Sequence, residues 1–213
     1  MWKKFVNEEL YQHITTTVFE MYKLNGKSHN EEHVKNVLKR ALEISEGYND
    51  IDKNILFTAV SYHDIGDHID RETHEIISAN MMMEDNTLNK IFNKEEKIII
   101  KEAIEDHRAS KGKVPRSIYG KILASADKNV DLNIYFIRTC EYGIEHYKNY
   151  TEQQQLDRIY EHAIQKFGKN GYAVDKYYVQ DNQYENFLKE LQQLLDNKEK
   201  FYEIARKTYR NLI

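Results

Sequence analysis

Apolar residues recur along the chain with the spacing of amphipathic helices. Six segments between residues 2 and 130 place apolar side chains three or four positions apart, so that these side chains fall on one helical face. The segments cover residues 2–24, 28–46, 54–62, 71–84, 94–107 and 117–130. Gly26, Gly47 and Gly66 follow the first three, and glycine commonly ends a helix. Ser28 and Glu31 resemble a capping box at the start of the second.

The remaining third of the chain shows the same period around one irregular stretch. Residues 132–149 and 151–168 are predicted to form two helices. Residues 172–184 are aromatic and polar, and we interpret them as a loop that packs its tyrosines over the body of the protein. Residues 181–195 and 198–212 form either one long helix or two. The pattern predicts an all-α fold, and the absence of a repeat or a flexible linker predicts a single domain over residues 1–213.

Composition agrees with long helices and argues against a polyanionic partner. The chain has 213 residues with one proline and eight glycines, a balance that favours helices over a turn-rich β-protein. It carries 31 lysines and arginines against 35 acidic residues, a formal charge of −4. We therefore expect no nucleic-acid partner and no membrane surface as a partner.

The single cysteine and the hydropathy pattern predict a cytoplasmic protein. Cys140 excludes an intramolecular disulfide, and we interpret it as a small core residue because no activated partner lies beside it in the sequence. The chain shows neither a secretory signal nor an apolar run long enough to span a bilayer.

The most informative local feature is the pair His63-Asp64 at the end of an apolar helical stripe. The stripe of residues 54–62 continues onto both ionisable side chains. A buried, unpaired carboxylate costs several kcal/mol or more, so Asp64 requires a cation, strong donors or a solvent-filled cleft.

Six ionisable residues occupy apolar faces or helix ends in the same way. They are His33, His63, Asp64, His74, His107 and Asp127. A shared metal site would satisfy all of them together, and imidazole and carboxylate without thiolate suit divalent iron, manganese, zinc or nickel.

The number of candidate ligands favours two ions. Six ligands exceed the needs of one tetrahedral ion, and Asp64 can bridge two ions with its two oxygens. Such a pair would hold a hydroxide of lowered pKa for attack on phosphorus. In the alternative, a single ion is bound by four of the residues, while His74 and His107 face the substrate.

The same residues resemble the ligand set of the HD-domain metal-dependent phosphohydrolases. The resemblance covers about residues 27–135 and implies an all-α bundle, followed by a helical extension over about 136–213. Members that have two histidines between the histidine-aspartate pair and the last aspartate resemble a dinuclear branch. The matching stretches are Ser28-His29-Asn30-Glu31-Glu32-His33-Val34-Lys35-Asn36-Val37, His63-Asp64-Ile65-Gly66, His74-Glu75-Ile76-Ile77-Ser78-Ala79, Glu105-Asp106-His107-Arg108 and Ala126-Asp127-Lys128.

Departures from the family pattern argue against two specialised activities. Asp67 stands where many relatives have a lysine, so the role of that lysine does not carry over. The Gly-Tyr-Pro signature of cyclic-di-GMP phosphodiesterases is absent. Asp67-His68 matches the Glu-Asp pair of guanosine-tetraphosphate hydrolases only weakly.

The expected activity is hydrolysis of a phosphate ester of a small molecule, with nucleotides among the candidates. Asp64 and Lys128 are the catalytic candidates, because Lys128 follows a proposed ligand directly. Candidate substrate contacts are His29, Arg108, Lys111, Lys113 and Arg116. Two alternatives stay open: an HD-type diiron oxygenase, such as the relatives of myo-inositol oxygenase, and a non-catalytic binding or regulatory module.

Overall fold

The computed structural model describes residues 2–26, 29–108, 113–174 and 178–213. Within these residues the regular structure is helical and contains no strand, so the predicted all-α fold is confirmed. The α-helices are α1 Glu8–His13, α2 Phe19–Met21, α3 Glu31–Ser45, α4 Lys53–Tyr62, α5 His74–Glu84, α6 Lys94–Glu105, α7 Ile118–Ala126, α8 Leu132–His146, α9 Glu152–Phe167, α10 Asn182–Leu195 and α11 Lys198–Leu212. A π-helical turn over Ile14–Val18 joins α1 to α2.

The chain divides into two compact units. One comprises residues 1–127 with 178–180, and the other comprises residues 128–177 with 181–213. Each unit has its own hydrophobic core. The division between the units follows Asp127, whereas the predicted single domain with its extension from residue 136 stays a prediction.

Helix α4 is the central element of the first unit. It packs against α3, α5, α6 and α7, and all of its residues from Ile55 to Tyr62 are buried. A helix that is apolar on every side belongs inside a core rather than at its surface. The end of α4 therefore lies within the unit, and the chain that follows it begins with His63.

Side-chain caps fix where the helices of the first unit begin. The side chain of Asn30 accepts a hydrogen bond from the backbone N–H of His33 at the start of α3. Asp52 caps α4 in the same way, and Ser117 caps α7. Ser28, which the sequence predicts as a capping residue, lies outside the described residues.

The second unit is built from α8 to α11 around an aromatic core. Phe136, Phe167, Phe187 and Phe201 are buried in it. The alternatives for the C-terminal residues resolve to two helices, since α10 ends at Leu195 and the side chain of Asn197 caps α11.

Two further sequence predictions concern Cys140 and the membrane. The thiol of Cys140 is buried, and burial raises its pKa to about 11, which agrees with a core role. Among the described residues, no helix is both long enough and apolar enough to cross a bilayer. The cytoplasmic location stays a prediction.

The turn after α4 depends on a glycine that lies against α5. A Cβ atom at Gly66 would lie 2.7 Å from Cγ2 of Ile77 and 3.1 Å from the backbone nitrogen of Ser78. The N–H of Gly66 donates to Oγ of Ser78 at 3.0 Å. We expect Gly66→Ala to destabilise the first unit by about 1–3 kcal/mol, because a β-branched side chain and backbone must move to admit the methyl group.

Gly47 provides the matched control for this substitution. A Cβ atom there would meet only Ile44 O at 3.5 Å, an ordinary contact. Urea unfolding of the chelator-treated protein, followed by the fluorescence of Trp2 in the core of the first unit, measures both variants. Equal midpoints for Gly66→Ala and Gly47→Ala would contradict the close approach.

Candidate metal centre

The six predicted ligands converge in the first unit, although they come from five separate helix ends. His33 lies in the first turn of α3, and His63 and Asp64 follow α4. His74 begins α5, His107 lies two residues after α6, and Asp127 caps the end of α7. The structure therefore brings together residues that lie up to 94 positions apart. Their role as ligands stays a prediction.

One group of side chains consists of His33, His63, Asp64 and Asp127. Nε2 of His33 lies 3.1 Å from Oδ1 of Asp127 and 3.4 Å from Oδ2 of Asp64. Nε2 of His63 lies 3.1 Å from the same Oδ2 of Asp64 and 3.8 Å from Oδ1 of Asp127. One potential ligand atom from each of the four residues falls within a span of 4.8 Å.

The other group consists of Asp64, His74 and His107. Nε2 of His74 lies 3.1 Å from Oδ1 of Asp64, and Nε2 of His107 lies 3.4 Å from that oxygen. The two imidazole nitrogens are 3.2 Å apart. Asp64 thus belongs to both groups, with Oδ2 facing one histidine pair and Oδ1 facing the other.

Backbone carbonyls fix the orientation of three of the four rings. Nδ1 of His63 lies 2.7 Å from Val60 O, and Nδ1 of His107 lies 2.7 Å from Ile104 O. His74 makes the same contact with Arg71 O at 2.8 Å. Since a carbonyl oxygen can only accept a hydrogen bond, each Nδ1 is the donor, and in the neutral ring each Nε2 carries a lone pair directed at the cluster. Metal-binding histidines in proteins show this arrangement.

Several buried atoms of the cluster lie near charged groups but form no hydrogen bond of good geometry with the described residues. Nε2 of His33, Nε2 of His63 and Oδ1 of Asp64 are buried and do not meet hydrogen-bond geometry with any described group. Such atoms cost free energy unless a partner satisfies them. Neutral imidazole nitrogens and a carboxylate oxygen are the donor set of borderline divalent ions, so these residues fit a metal.

The electrostatics of the cluster couple the carboxylates to the histidines. Burial alone would raise the pKa of Asp64, but His63, His107, His29 and His33 around it hold that pKa well below its usual range. Burial likewise opposes the shift at His63, yet Asp64 and Asp127 raise its pKa well above the ordinary value. The carboxylates therefore favour a cation at this position, whether a proton on imidazole or a metal ion.

His29 joins the cluster as a seventh member. Its Nδ1 lies 2.6 Å from Oδ2 of Asp64, and its ring centre lies 5.4 Å from that of His33. The His29 side chain is 22% exposed and that of Asp127 is 29% exposed, whereas those of His33, His63, Asp64, His74 and His107 are at most 9% exposed. His29 and Asp127 are thus the members of the cluster that are partly open to solvent.

Three of the predicted cationic contacts, Arg108, Arg116 and Lys128, have protein partners. Arg116 is paired with Asp106 and Glu105 at 2.9 Å and 2.6 Å. Arg108 donates to Glu72 O at 2.6 Å. Lys113 is exposed, and Lys111 lies outside the described residues. In the second unit, the Lys128 ammonium lies 4.3 Å from the centre of the Tyr184 ring. Their roles toward substrate stay predictions.

Two supporting residues were not found from the sequence. Asn25 donates to Asp64 O at 2.8 Å and to His29 O at 2.9 Å, and its Oδ1 accepts from the N–H of His68 at 3.2 Å. The hydroxyl of Tyr22 donates to Ser61 O at 3.0 Å. In the sequence, Asn25 has only the pattern of a helix stop and Tyr22 that of a core aromatic residue.

Comparison with known proteins identifies one family. Residues 30–129 match the family described as HD domain, and this range contains all six predicted ligands. Asn25, Tyr22 and His29 lie before it. No curated protein and no solved structure matches the chain.

The coupled charges predict how the stability of the metal-free protein depends on pH. His33, His63 and His74 have raised pKa values in the folded state, so their contribution to stability is full below the unfolded value near 6.5 and is lost as pH rises through the folded values. We expect the free energy of unfolding of chelator-treated protein to fall over an interval that begins near pH 6.5, the unfolded value, and extends upward through the raised folded values.

The metal-loaded protein serves as the comparison, because ligation requires neutral imidazole and suppresses this dependence. Urea unfolding followed by Trp2 fluorescence at each pH measures the effect in both forms. A stability of the metal-free form that stays constant or increases over this interval would contradict the proposed coupling.

Proposed function

We propose that the protein, whose residues 30–129 match the HD-domain family, is a metal-dependent phosphohydrolase that cleaves a phosphate ester of a small molecule. Members of this family are generally metal-dependent hydrolases. The proposal depends on one observation above all: the two oxygens of Asp64 face two different histidine pairs.

We infer that two divalent ions bind, with Asp64 as the shared ligand. His33, His63 and Asp127 complete one half of the centre, and His74 and His107 complete the other. Iron, manganese, zinc and nickel suit these donors. When bound, such ions lower the pKa of a coordinated water and neutralise the charge that develops on a phosphoryl oxygen.

The protein residues prepare the site for this chemistry. The carbonyls behind His63, His74 and His107 hold the Nδ1 protons, so the Nε2 atoms stay available as ligands. The low pKa of Asp64 keeps its carboxylate charged at neutral pH. The Asp64 carboxylate and these three rings are buried, so bulk water is excluded and the electrostatic interactions among them are strengthened.

The exposed side of the cluster indicates where a substrate enters. His29 and Asp127 are its partly exposed members, so we infer that the phosphate approaches past them. A small phosphorylated molecule, such as a nucleotide, suits an acidic protein better than a long polyanion does. We propose that neither a nucleic acid nor a membrane is a partner of the protein.

Asp64→Asn tests the proposed bridge. The amide keeps the shape of the side chain but loses the charge and one acceptor oxygen, so we expect at most one ion per chain. We also expect phosphatase activity to fall by more than the roughly 10- to 100-fold that loss of an outer-shell partner causes. Metal analysis and a screen over nucleotides and small phosphate esters measure the two effects.

Asp85→Asn is the matched control, because Asp85 is also a carboxylate paired with a histidine, His13, at 2.6 Å. Full activity of Asp64→Asn would contradict the catalytic assignment. Oxygen uptake by the iron-loaded protein without phosphate release would favour the diiron oxygenase instead. Metal binding with neither activity would favour a regulatory module.

His29→Gln tests the side from which substrate enters. Since His29 contacts Asp64 but is more exposed than the predicted ligands, we expect two ions to remain bound while phosphatase activity falls between about 10- and 100-fold. His68→Gln is the control, as His68 is exposed and bonds to Asn25. Loss of an ion in His29→Gln would instead make His29 a ligand.

A further inference from the structure

Each half of the cluster is connected to its surroundings by a different arginine. Arg40 lies on α3, two helical turns after His33, and is only 9% exposed. Its Nη1 donates to Ser125 O at 2.8 Å and to Ala126 O at 2.7 Å. These are the last carbonyls of α7, and Asp127 follows them directly.

The end of a helix explains why a buried guanidinium is stable there. The last carbonyls of α7 have no partner within the helix and carry the partial negative charge of the helix dipole. Arg40 satisfies two of them from α3. Because His33 is on α3 and Asp127 caps α7, these hydrogen bonds fix the position of one side chain relative to the other, 3.1 Å apart at their nearest polar atoms.

Arg108 makes a corresponding connection in the other half. It follows His107, and its Nη1 donates to Glu72 O at 2.6 Å in the turn that precedes His74. The same nitrogen lies 3.3 Å from Oε2 of Glu75, which follows His74 and is 1% exposed. Arg108, next to His107 in the chain, thus holds His107 close to the segment that carries His74.

We propose that Arg40 and Arg108 are positioning residues, Arg40 for the half containing His33 and Asp127 and Arg108 for the half containing His74 and His107. This inference rests on the proposed two-ion function. It assigns Arg108 to the orientation of ligands rather than to contact with phosphate. The planar guanidinium offers several donors in a fixed fork, which lysine cannot reproduce.

The assignment predicts that the two halves fail separately. Arg40→Gln removes the hydrogen bonds that connect α3 to the Ser125 and Ala126 carbonyls, so we expect affinity for one ion to fall by about 10- to 100-fold while the other ion binds as in the wild type. Arg108→Gln has the same effect on the other ion. Each variant is therefore the control for its counterpart.

The experiment combines metal titration with spectroscopy that identifies the affected half. Calorimetric titration of the full chain with Mn²⁺ gives the number of ions and their affinities. Zn²⁺-induced shifts of nitrogen-15 in labelled histidine side chains report on each ring. We expect Arg40→Gln to diminish the shifts of His33 and His63, and Arg108→Gln to diminish those of His74 and His107.

Further variants separate positioning from a general loss of stability. Lys97→Gln is a matched control, because Lys97 is 6% exposed and donates to a helix-end carbonyl, Met83 O, at 2.8 Å. We expect it to destabilise the fold while both ions bind. Arg40→Lys and Arg108→Lys keep the charge but not the fork of donors, so they replace the glutamine variants if those do not fold. We expect each lysine variant, too, to lose affinity for the ion of one half only.

The outcomes distinguish this inference from the function on which it rests. Fewer than two ions on the wild-type chain would overturn the two-ion site, and this proposal with it. Two ions on the wild type, with arginine variants that bind both as Lys97→Gln does, would overturn the arginine assignment alone. Equal loss at both halves in either variant would also overturn it.

Discussion

The burial of one carboxylate is the constraint on which the rest of the first unit depends. Asp64 is 1% exposed, and a carboxylate removed from water costs several kcal/mol unless cations or strong donors surround it. Here the Nε2 atoms of four histidines lie 3.1 to 3.4 Å from its two oxygens, in addition to Nδ1 of His29 at 2.6 Å. Supplying them requires α3, α4, α5 and α6 to direct their ends at one point, so the fold and the site are aspects of the same packing.

Helix α4 makes this convergence possible because it has no solvent face. Its buried residues carry the chain to the middle of the unit before the turn at His63 and Asp64. Supports for that turn come from outside the matched family range, since Tyr22 and Asn25 bond to the carbonyls of Ser61 and Asp64. The N-terminal segment therefore contributes to the cluster through the backbone rather than through additional ligands.

The helices and the six candidate ligands were predictable because their signals are local. An apolar period identifies each helix, and an ionisable residue on an apolar stripe stands out without knowledge of distant partners. Asn25 and Arg40 leave no such signal, since their hydrogen bonds reach carbonyls 39 and 85 positions away and any polar residue fits the pattern there. The loop cations failed to be informative for the same reason: sequence displays the charge of Arg116 but not its pairing with Asp106.

Exposure bears on the choice between one ion and two. In the one-ion alternative, His74 and His107 face the substrate, yet they are 5% and 2% exposed and their Nε2 atoms approach Oδ1 of Asp64. The partly exposed positions belong to His29 and Asp127. A pair of buried imidazoles whose Nδ1 protons are bonded to carbonyls lacks access to a substrate but has the lone pairs that a metal ion requires. The arrangement therefore favours a second ion over a second substrate contact.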